Sequence, residues 1–315
     1  MKLSLFDTHS DTALELYTHG EHLDQNQAFH ISLEKARSYE RYAQYYAIWS
    51  NRRKTDEECW QIFLDASDYF RAEVARLSER VALVTNGREL ETAISTGKRA
   101  AILAVEDARL TAGKMQRLDE MYARGVRYLT LVWGGDSCVG GAFRTQNGLT
   151  EYGKELVCRC FELGIIPDVS HASEQLADDV TAIAYEYQKP FIASHSNAFS
   201  QYDHPRNLRD RHFKAIKELG GIVGVSLCPS HLTDTSLRPA TAEDVFAHVE
   251  YYLSMGGENI LGFGADWDGT DLPEGFSTVA DLALVAEVMA KHNYTDELID
   301  KIFWKNFYDF SLKNL

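Results

Sequence analysis

Proline is scarce in this 315-residue chain, six residues against 21 glycines, and no Gly-X-Y or proline-rich run occurs, which excludes collagenous and extended architectures. No stretch approaches the ~20 apolar residues of a membrane span. At the N-terminus, Met1-Lys2-Leu3-Ser4-Leu5-Phe6 runs into Asp7-Thr8-His9 before an apolar segment of signal-peptide length has formed. Positive charge is in deficit: 32 Lys+Arg against 47 Asp+Glu leave a net charge of −15. That is the wrong sign for binding a phosphate backbone, so nucleic acid is not an expected partner. The acidity itself reads as solubility rather than as information about substrate. Five cysteines, an odd number without a CxxC pair, supply neither a disulfide framework nor a structural zinc site. Cys158 and Cys160 are expected to be reduced, buried thiols, and a cytoplasmic location without membrane attachment follows as the default.

What is present is an ordinary globular composition, 45% hydrophobic and 25% charged, which excludes wholesale disorder. No linker, low-complexity run or charge block divides the chain, so residues 1–315 are expected to form one domain with a large core. Short apolar runs rich in β-branched residues alternate with longer amphipathic stretches. They lie at 3–7, 45–49, 100–105, 128–132, 165–169, 191–193, 222–227 and 260–263. Eight such runs predict an α/β fold, a (β/α)8 barrel of the TIM type, with an open doubly wound sheet as the alternative. Thr55 and Glu58 predict a capping box that opens a helix over 55–80. A second helix is expected over 148–164, closed by Gly164.

Polar residues follow these runs. Asp7, His9 and Asp11 come after the first, Glu106 after the third, His171 after the fifth, His195 after the sixth and Asp266 after the eighth. In a barrel such strand ends face a single mouth, where enzymes of this architecture place their chemistry. His9-Ser10-Asp11 sets an imidazole and a carboxylate on the same side of an extended segment, a pair suited to a divalent transition metal such as zinc. The bland alternative is a helix N-cap region with an incidental histidine. His171 and His195, taken singly, read equally well as satisfied core histidines. Glu106 ends the apolar run Ile102-Leu103-Ala104-Val105, where a carboxylate is costly unless paired, to Arg109 for example, or bound to metal. Together, three histidines and two carboxylates supply enough ligands for two metals with one carboxylate bridging. Asp266 reads as a general acid/base or as a turn aspartate. Arg206 reads as a carboxylate clamp or as a surface salt-bridge partner. The glycine pairs 134–135 and 140–141 flank a loop but lack the GK[ST] of a phosphate loop, and Ser194-His195-Ser196 is no nucleophile elbow.

With these residues in view, the chain resembles the membrane (renal) dipeptidase family, a branch of the amidohydrolase superfamily, over nearly its whole length. Phe6-Asp7-Thr8-His9-Ser10-Asp11 is similar to the family's opening DxHxD segment. Residues 148–153 and 164–171, Ser194-His195-Ser196-Asn197-Ala198, His204-Pro205-Arg206-Asn207 and Gly264-Ala265-Asp266-Trp267-Asp268-Gly269 continue the resemblance in order. The resemblance implies a binuclear zinc site in a distorted barrel. His9 and Asp11 would hold one ion, His171 and His195 the other, and Glu106 would bridge them. Asp266 would match the catalytic aspartate and Arg206 the arginine that binds the substrate carboxylate. The implied activity is hydrolysis of dipeptides, often with a D-residue at the C-terminal position.

Two departures stand out. The family's glutamate is usually followed by two glycines and a histidine, whereas Glu106 precedes Asp107-Ala108-Arg109. After the fourth run Trp133 stands where the family often has a histidine that contacts the scissile carbonyl oxygen. Its indole either donates that hydrogen bond or walls the pocket, and the wall is the favoured reading. The expected reaction is attack by a hydroxide shared between two divalent ions, with Asp266 passing a proton to the leaving amine. The expected partner is a small dipeptide, and the reading leaves room for a homodimer. Alternatives are another amidohydrolase activity, on a small amide or lactone, or a non-catalytic binding protein on the same fold. A deaminase would more typically show HxH in place of His9-Ser10-Asp11.

Overall fold

Strands buried on both faces carry near-continuous apolar runs rather than alternating ones, and the apolar runs of this chain are buried in that way. The computed structural model describes residues 2–315. Its strands are β1 (Leu5–Asp7), β2 (Tyr42–Trp49), β3 (Val81–Leu83), β4 (Arg99–Glu106), β5 (Val126–Thr130), β6 (Ile166–Asp168), β7 (Val223–Val225) and β8 (Leu261–Phe263), with helices between most of them. All pairings are parallel, along the path β6-β5-β4-β2-β1-β8-β7. Residues 191–193 close the ring between β6 and β7. Val169 N–H donates to Ile192 O (2.9 Å) and Ile192 N–H to Pro167 O (3.0 Å). On the other side Ala193 N–H donates to Ile222 O (3.1 Å) and Gly224 N–H to Ala193 O (2.9 Å). Every one of the eight apolar runs thus takes its place in a (β/α)8 barrel.

Alternation along the strands divides the core in two. Phe6, Ala43, Tyr45, Ala47, Ala100, Ile102, Ala104, Tyr128, Ile166, Ile192 and Ile222 form an inner cluster that Trp304 and Phe307 join. The intervening residues, among them Leu5, Tyr46, Ile48, Leu103 and Val105, belong to the larger cluster that includes the helices. Phe307 reaches Gly262 so closely that a Cβ there would lie 2.6 Å from its ring.

The local signals behave as expected with shifted ends. The long helix runs over Asp56–Arg76, opened by Thr55 and Glu58 in a reciprocal capping box. It stops four residues short of the expected end, because the chain turns into β3, which lies in the apolar stretch Val81-Ala82-Leu83-Val84 and outside the eight expected runs. β3 pairs with residues 99–101 of β4, before β5 takes over at Leu103. The second helix is Glu151–Leu163, capped by Thr150 and ended by Gly164 at φ 84°. All five cysteines are free; Cys160 is buried but Cys158 is half-buried, which corrects the expectation for that pair. Among the described residues no helix is long and apolar enough to cross a membrane.

The barrel is tightest near its mouth. A Cβ at Gly224 would lie 2.0 Å from Ser194 O, 2.6 Å from Thr8 Oγ1 and 2.7 Å from Gly264 N. Gly224→Ala should therefore destabilise the protein by about 1–3 kcal/mol, the usual cost of overpacking, measured as a lower urea midpoint at unchanged m-value. A midpoint equal to that of the unmutated protein would show that the mouth has slack.

Candidate metal centre

The same alternation that points Ala100, Ile102 and Ala104 inward carries Glu106 to the inner face at the end of β4, where it is 3% exposed. His9 follows β1 and is held from behind. Tyr128 Oη donates to Thr8 O (2.9 Å) and so accepts from His9 Nδ1 (2.7 Å). This network assigns the proton to Nδ1 and leaves the Nε2 lone pair facing the mouth. His195 is oriented in the same manner: Ser194 Oγ donates to Asp168 Oδ2 (2.6 Å) and accepts from His195 Nδ1 (2.7 Å). Asp168 also accepts from Thr130 Oγ1 (2.6 Å) and from the amides of Ser170 (3.0 Å) and Ser194 (2.8 Å). Asp7 does the matching work at β1, accepting from the amides of His9 (2.9 Å) and Ala265 (3.0 Å) and from Gln44 Nε2 (2.8 Å).

The donors converge on Glu106. His9 Nε2 lies 3.8 Å from Glu106 Oε2, 3.6 Å from Asp11 Oδ1 and 3.8 Å from Asp266 Oδ1. On the other side, His171 Nε2 and His195 Nε2 lie 2.8 and 3.3 Å from Glu106 Oε1, and 3.0 Å from each other. One atom each from His9, Glu106 and His195 falls within 4.8 Å of the others. Three buried polar atoms here, His9 Nε2, Asp11 Oδ1 and His171 Nδ1, have no hydrogen-bond partner. Arg109, the alternative partner considered for Glu106, pairs with Asp56 instead (2.7 Å).

Electrostatics agree with the geometry. Burial, reinforced by Asp11 and Asp266, pushes the Glu106 carboxyl well above its ordinary range. Burial and the neighbouring Asp268 do the same to Asp11. Burial raises Asp266 to about 6. The imidazoles of His171 and His195 are held well below their usual value by burial, hence neutral with lone pairs available. The cation that acts on Glu106 and Asp266 is Arg206, which is 4% exposed and so no surface residue. It donates to Ser196 Oγ (3.2 Å) and His195 O (3.1 Å), while its Nε has no partner. Three inward carboxylates with one guanidinium beside them form a place where divalent cations are the natural complement.

Backbone strain concentrates here too. His171 and Asp266 adopt φ 68° and 65°, left-handed values that non-glycine residues hold only when their surroundings demand it. Gly269 is glycine for space, since a Cβ would lie 2.5 Å from both Asp11 Oδ2 and Asp266 Oδ1. A cavity of about 250 Å³ opens above, lined by Asp11, Glu106, His171, Asp266 and Trp133, all expected at the mouth, and also by Trp49, Cys228 and His231. Arg206 lies in the wall behind His195 and does not line the cavity. No sequence motif marks Tyr128, Asp168 or Trp49 for these positions, and Ser194 stands in the sequence only beside His195, without a nucleophile elbow. For Asp168, a carboxylate ending an apolar run as Glu106 does, the signal was in the sequence.

Over residues 1–309 the chain matches the family described as membrane dipeptidase, peptidase family M19. It belongs to that family. A protein of Klebsiella pneumoniae, named as an uncharacterized protein in the pqqA 5′ region, is 29% identical over 244 residues, covering 74% of this chain and 89% of that one. An uncharacterized dipeptidase of Schizosaccharomyces pombe is 29% identical over 224 residues, 67% of this chain and 52% of its own length. Among solved structures, the metallopeptidase dipeptidase AC of family M19 superposes with a TM-score of 0.91 at 26% identity, covering 100% of this chain and 99% of that one. A metallopeptidase of Rhodobacter sphaeroides, solved with a phosphinate mimic of the dipeptide L-Ala-D-Ala, gives the same TM-score and coverage at 24% identity. As an M19 protein the chain is a metal-dependent dipeptidase, and its inward lone pairs and unpartnered carboxylate oxygen fit the divalent metal which that membership implies.

Stripping divalent ions with a chelator should lower the thermal midpoint, because it leaves the carboxylates facing one another uncompensated. Returning zinc should raise it, by an amount equivalent to about 2.7 kcal/mol at a hundredfold excess over Kd. An unchanged midpoint in both directions would disconnect this cluster from metal.

Proposed function

We propose that this M19 dipeptidase uses two zinc ions to cleave dipeptides that carry a free C-terminal carboxylate, including those with a D-residue at that position. The observation that supports two ions is Glu106, whose two oxygens face separate donor groups. On this reading His9 and Asp11 would hold one ion, His171 and His195 the other, and Glu106 would serve both. A mixed nitrogen and carboxylate donor set suits zinc. Ions held there would supply Lewis acidity and would lower the pKa of a bound water toward ~7. The stereochemical part extends to this chain the L-Ala-D-Ala mimic bound by the Rhodobacter sphaeroides protein.

The chain's own residues do the rest. Asp266, held up at about 6 by burial, accepts a proton from the attacking water and returns it to the amine nitrogen as the C–N bond breaks. Arg206 stands outside the cavity's lining, its guanidinium on Ser196 Oγ and His195 O with Nε unpartnered. A substrate C-terminal carboxylate that enters past His195 and takes the place of the Ser196 contact would complete it. Trp133, its ring centroid 5.2 Å from that of Trp49, walls the cavity and keeps water from it. A cavity of about 250 Å³ is smaller than those that hold drug-sized ligands, roughly 300–1,000 Å³, and so suits a dipeptide better than a longer chain. The five cysteines, all free, suit a reducing compartment and support a cytoplasmic site of action.

A panel of L,L- and L,D-dipeptides, with cysteinyl-glycine and C-terminal amides, tests the reading through release of free amino acids. Dipeptide acids should be cleaved and amides should be poor substrates; no cleavage of any member would overturn it. Asp266→Asn should retain metal while kcat falls by ~10²–10⁴-fold, and a near-normal kcat would take Asp266 out of the mechanism. Arg206→Ala should lower kcat/KM on free acids by about ten- to a hundredfold, the worth of a charged hydrogen bond. Equal rates on acids and amides in the unmutated protein would show that Arg206 reads no carboxylate.

A further inference from the structure

The polar walls of the cavity leave one large apolar surface. Asp11, Glu106, His171, Asp266 and His231 are ionisable, whereas Trp49 and Trp133 are the aromatic indoles of its lining. The two rings are tilted by 36° with centroids 5.2 Å apart, so each limits the movement of the other. Trp133 begins a loop whose position is set from outside the cavity. Arg52 donates from Nη2 to Gly135 O and from Nη1 to Asp136 O (3.2 Å). Gly134 and Gly135 lie flat on that side chain: a Cβ on them would stand 3.5 Å from Arg52 Cδ and 3.0 Å from Nη1.

Arg52 is itself anchored by Asp107 (Nη2 to Oδ2, 3.7 Å), the residue directly after Glu106. Asp107 is buried, accepts from Ser50 Oγ (3.0 Å) and the Arg109 amide (3.1 Å), and holds φ 75°. The loop is also clasped to itself. Asp136 accepts from Thr145 Oγ1 (2.8 Å) and Asn147 Nδ2 (2.6 Å), and Phe143 N–H donates to His171 O (2.8 Å) at the far end. Trp133 is thus tied through Arg52 to the end of the strand that carries Glu106.

We infer that Trp133, backed by Trp49 and held by Arg52, forms the subsite for an apolar or aromatic side chain of the dipeptide; the inference rests on the dipeptide reading of the cavity and deepens it. A planar ring fixed on two sides offers contact area at little entropic cost, and aromatic pairs favour offset or edge contacts of this kind. Arg52 is a positioning residue, since it touches the loop backbone and Asp107 rather than the cavity.

The test measures binding without turnover. Zinc-loaded protein is titrated calorimetrically with phosphinate analogues of Ala-Ala and of Phe-Ala, together with their counterparts that carry the ring at the C-terminal position. One aromatic analogue should bind at least about tenfold tighter than the alanine one. Trp133→Ala should abolish that preference, and Trp133→Phe should retain most of it. Arg52→Ala should reduce the preference and weaken the circular-dichroism couplet of the indole pair, which Trp49→Phe identifies by removing it. Equal affinities for all analogues would overturn the inference, as would an Arg52→Ala protein with couplet and preference unchanged. A protein that prefers the aromatic analogue yet cleaves no dipeptide would uphold the subsite and remove the hydrolytic reading.

Discussion

A carboxylate turned into the interior of a barrel, with no lysine or arginine paired to it, is the constraint from which the rest of this structure follows. Glu106 cannot swing to solvent, because its inward direction is set by the register of β4. Burial penalises its charge, and Asp11 and Asp266 add to the penalty rather than relieving it. Such an arrangement persists only where a proton neutralises the carboxylate or a cation completes it, and family membership supplies a divalent metal for the second. The imidazoles around it, each with Nε2 toward Glu106, are the remaining half of the proposed donor set.

The supporting layer shows how a fold maintains groups that repel one another. Asp7 and Asp168 end their strands in similar ways. Each accepts the amide two residues ahead and an amide from the neighbouring strand end, Ala265 for one and Ser194 for the other. Each therefore fixes the path of the chain into a turn that carries a proposed ligand, His9 in one case and His171 in the other. Tyr128 and Ser194 then fix ring orientation, and such outer partners set affinity and basicity as much as the ligands do. The left-handed residues His171 and Asp266 mark where the backbone departs from easy geometry to aim its side chains.

The two departures from the family pattern sit on one mechanical element. Asp107 occupies a position with φ 75°, a value a glycine would hold without strain. Its carboxylate meets Arg52, and Arg52 meets the loop that begins at Trp133. A glycine there would be relaxed but could anchor nothing. The substitution that looks like a lost motif is, in the structure, the base of a tether to the other substituted position.

Much of this protein was legible in its sequence because barrel strands bury both faces and so write themselves as short apolar runs. The eight runs, the Thr55 capping box, the Gly164 stop and the polar strand ends all follow from local patterning. β3 escaped although Val81-Ala82-Leu83-Val84 is an apolar run as long as some of the eight, because that run directly follows the stretch expected to be helical to residue 80 and adds a ninth strand beside the eight of the barrel. The identities of His9, Asp11, Glu106, His171, His195 and Asp266 as a set came from their place after strands, since such ends must share a mouth once the barrel closes. What that rule cannot supply is which atom of each side chain faces inward, and from what support. The His9 tautomer depends on Tyr128, 119 residues away. Glu106 escapes Arg109 because Asp56 claims it, and Trp133 keeps its place through Arg52. Those are contacts between segments remote in the chain, decided by packing, and only the tertiary structure brings them together.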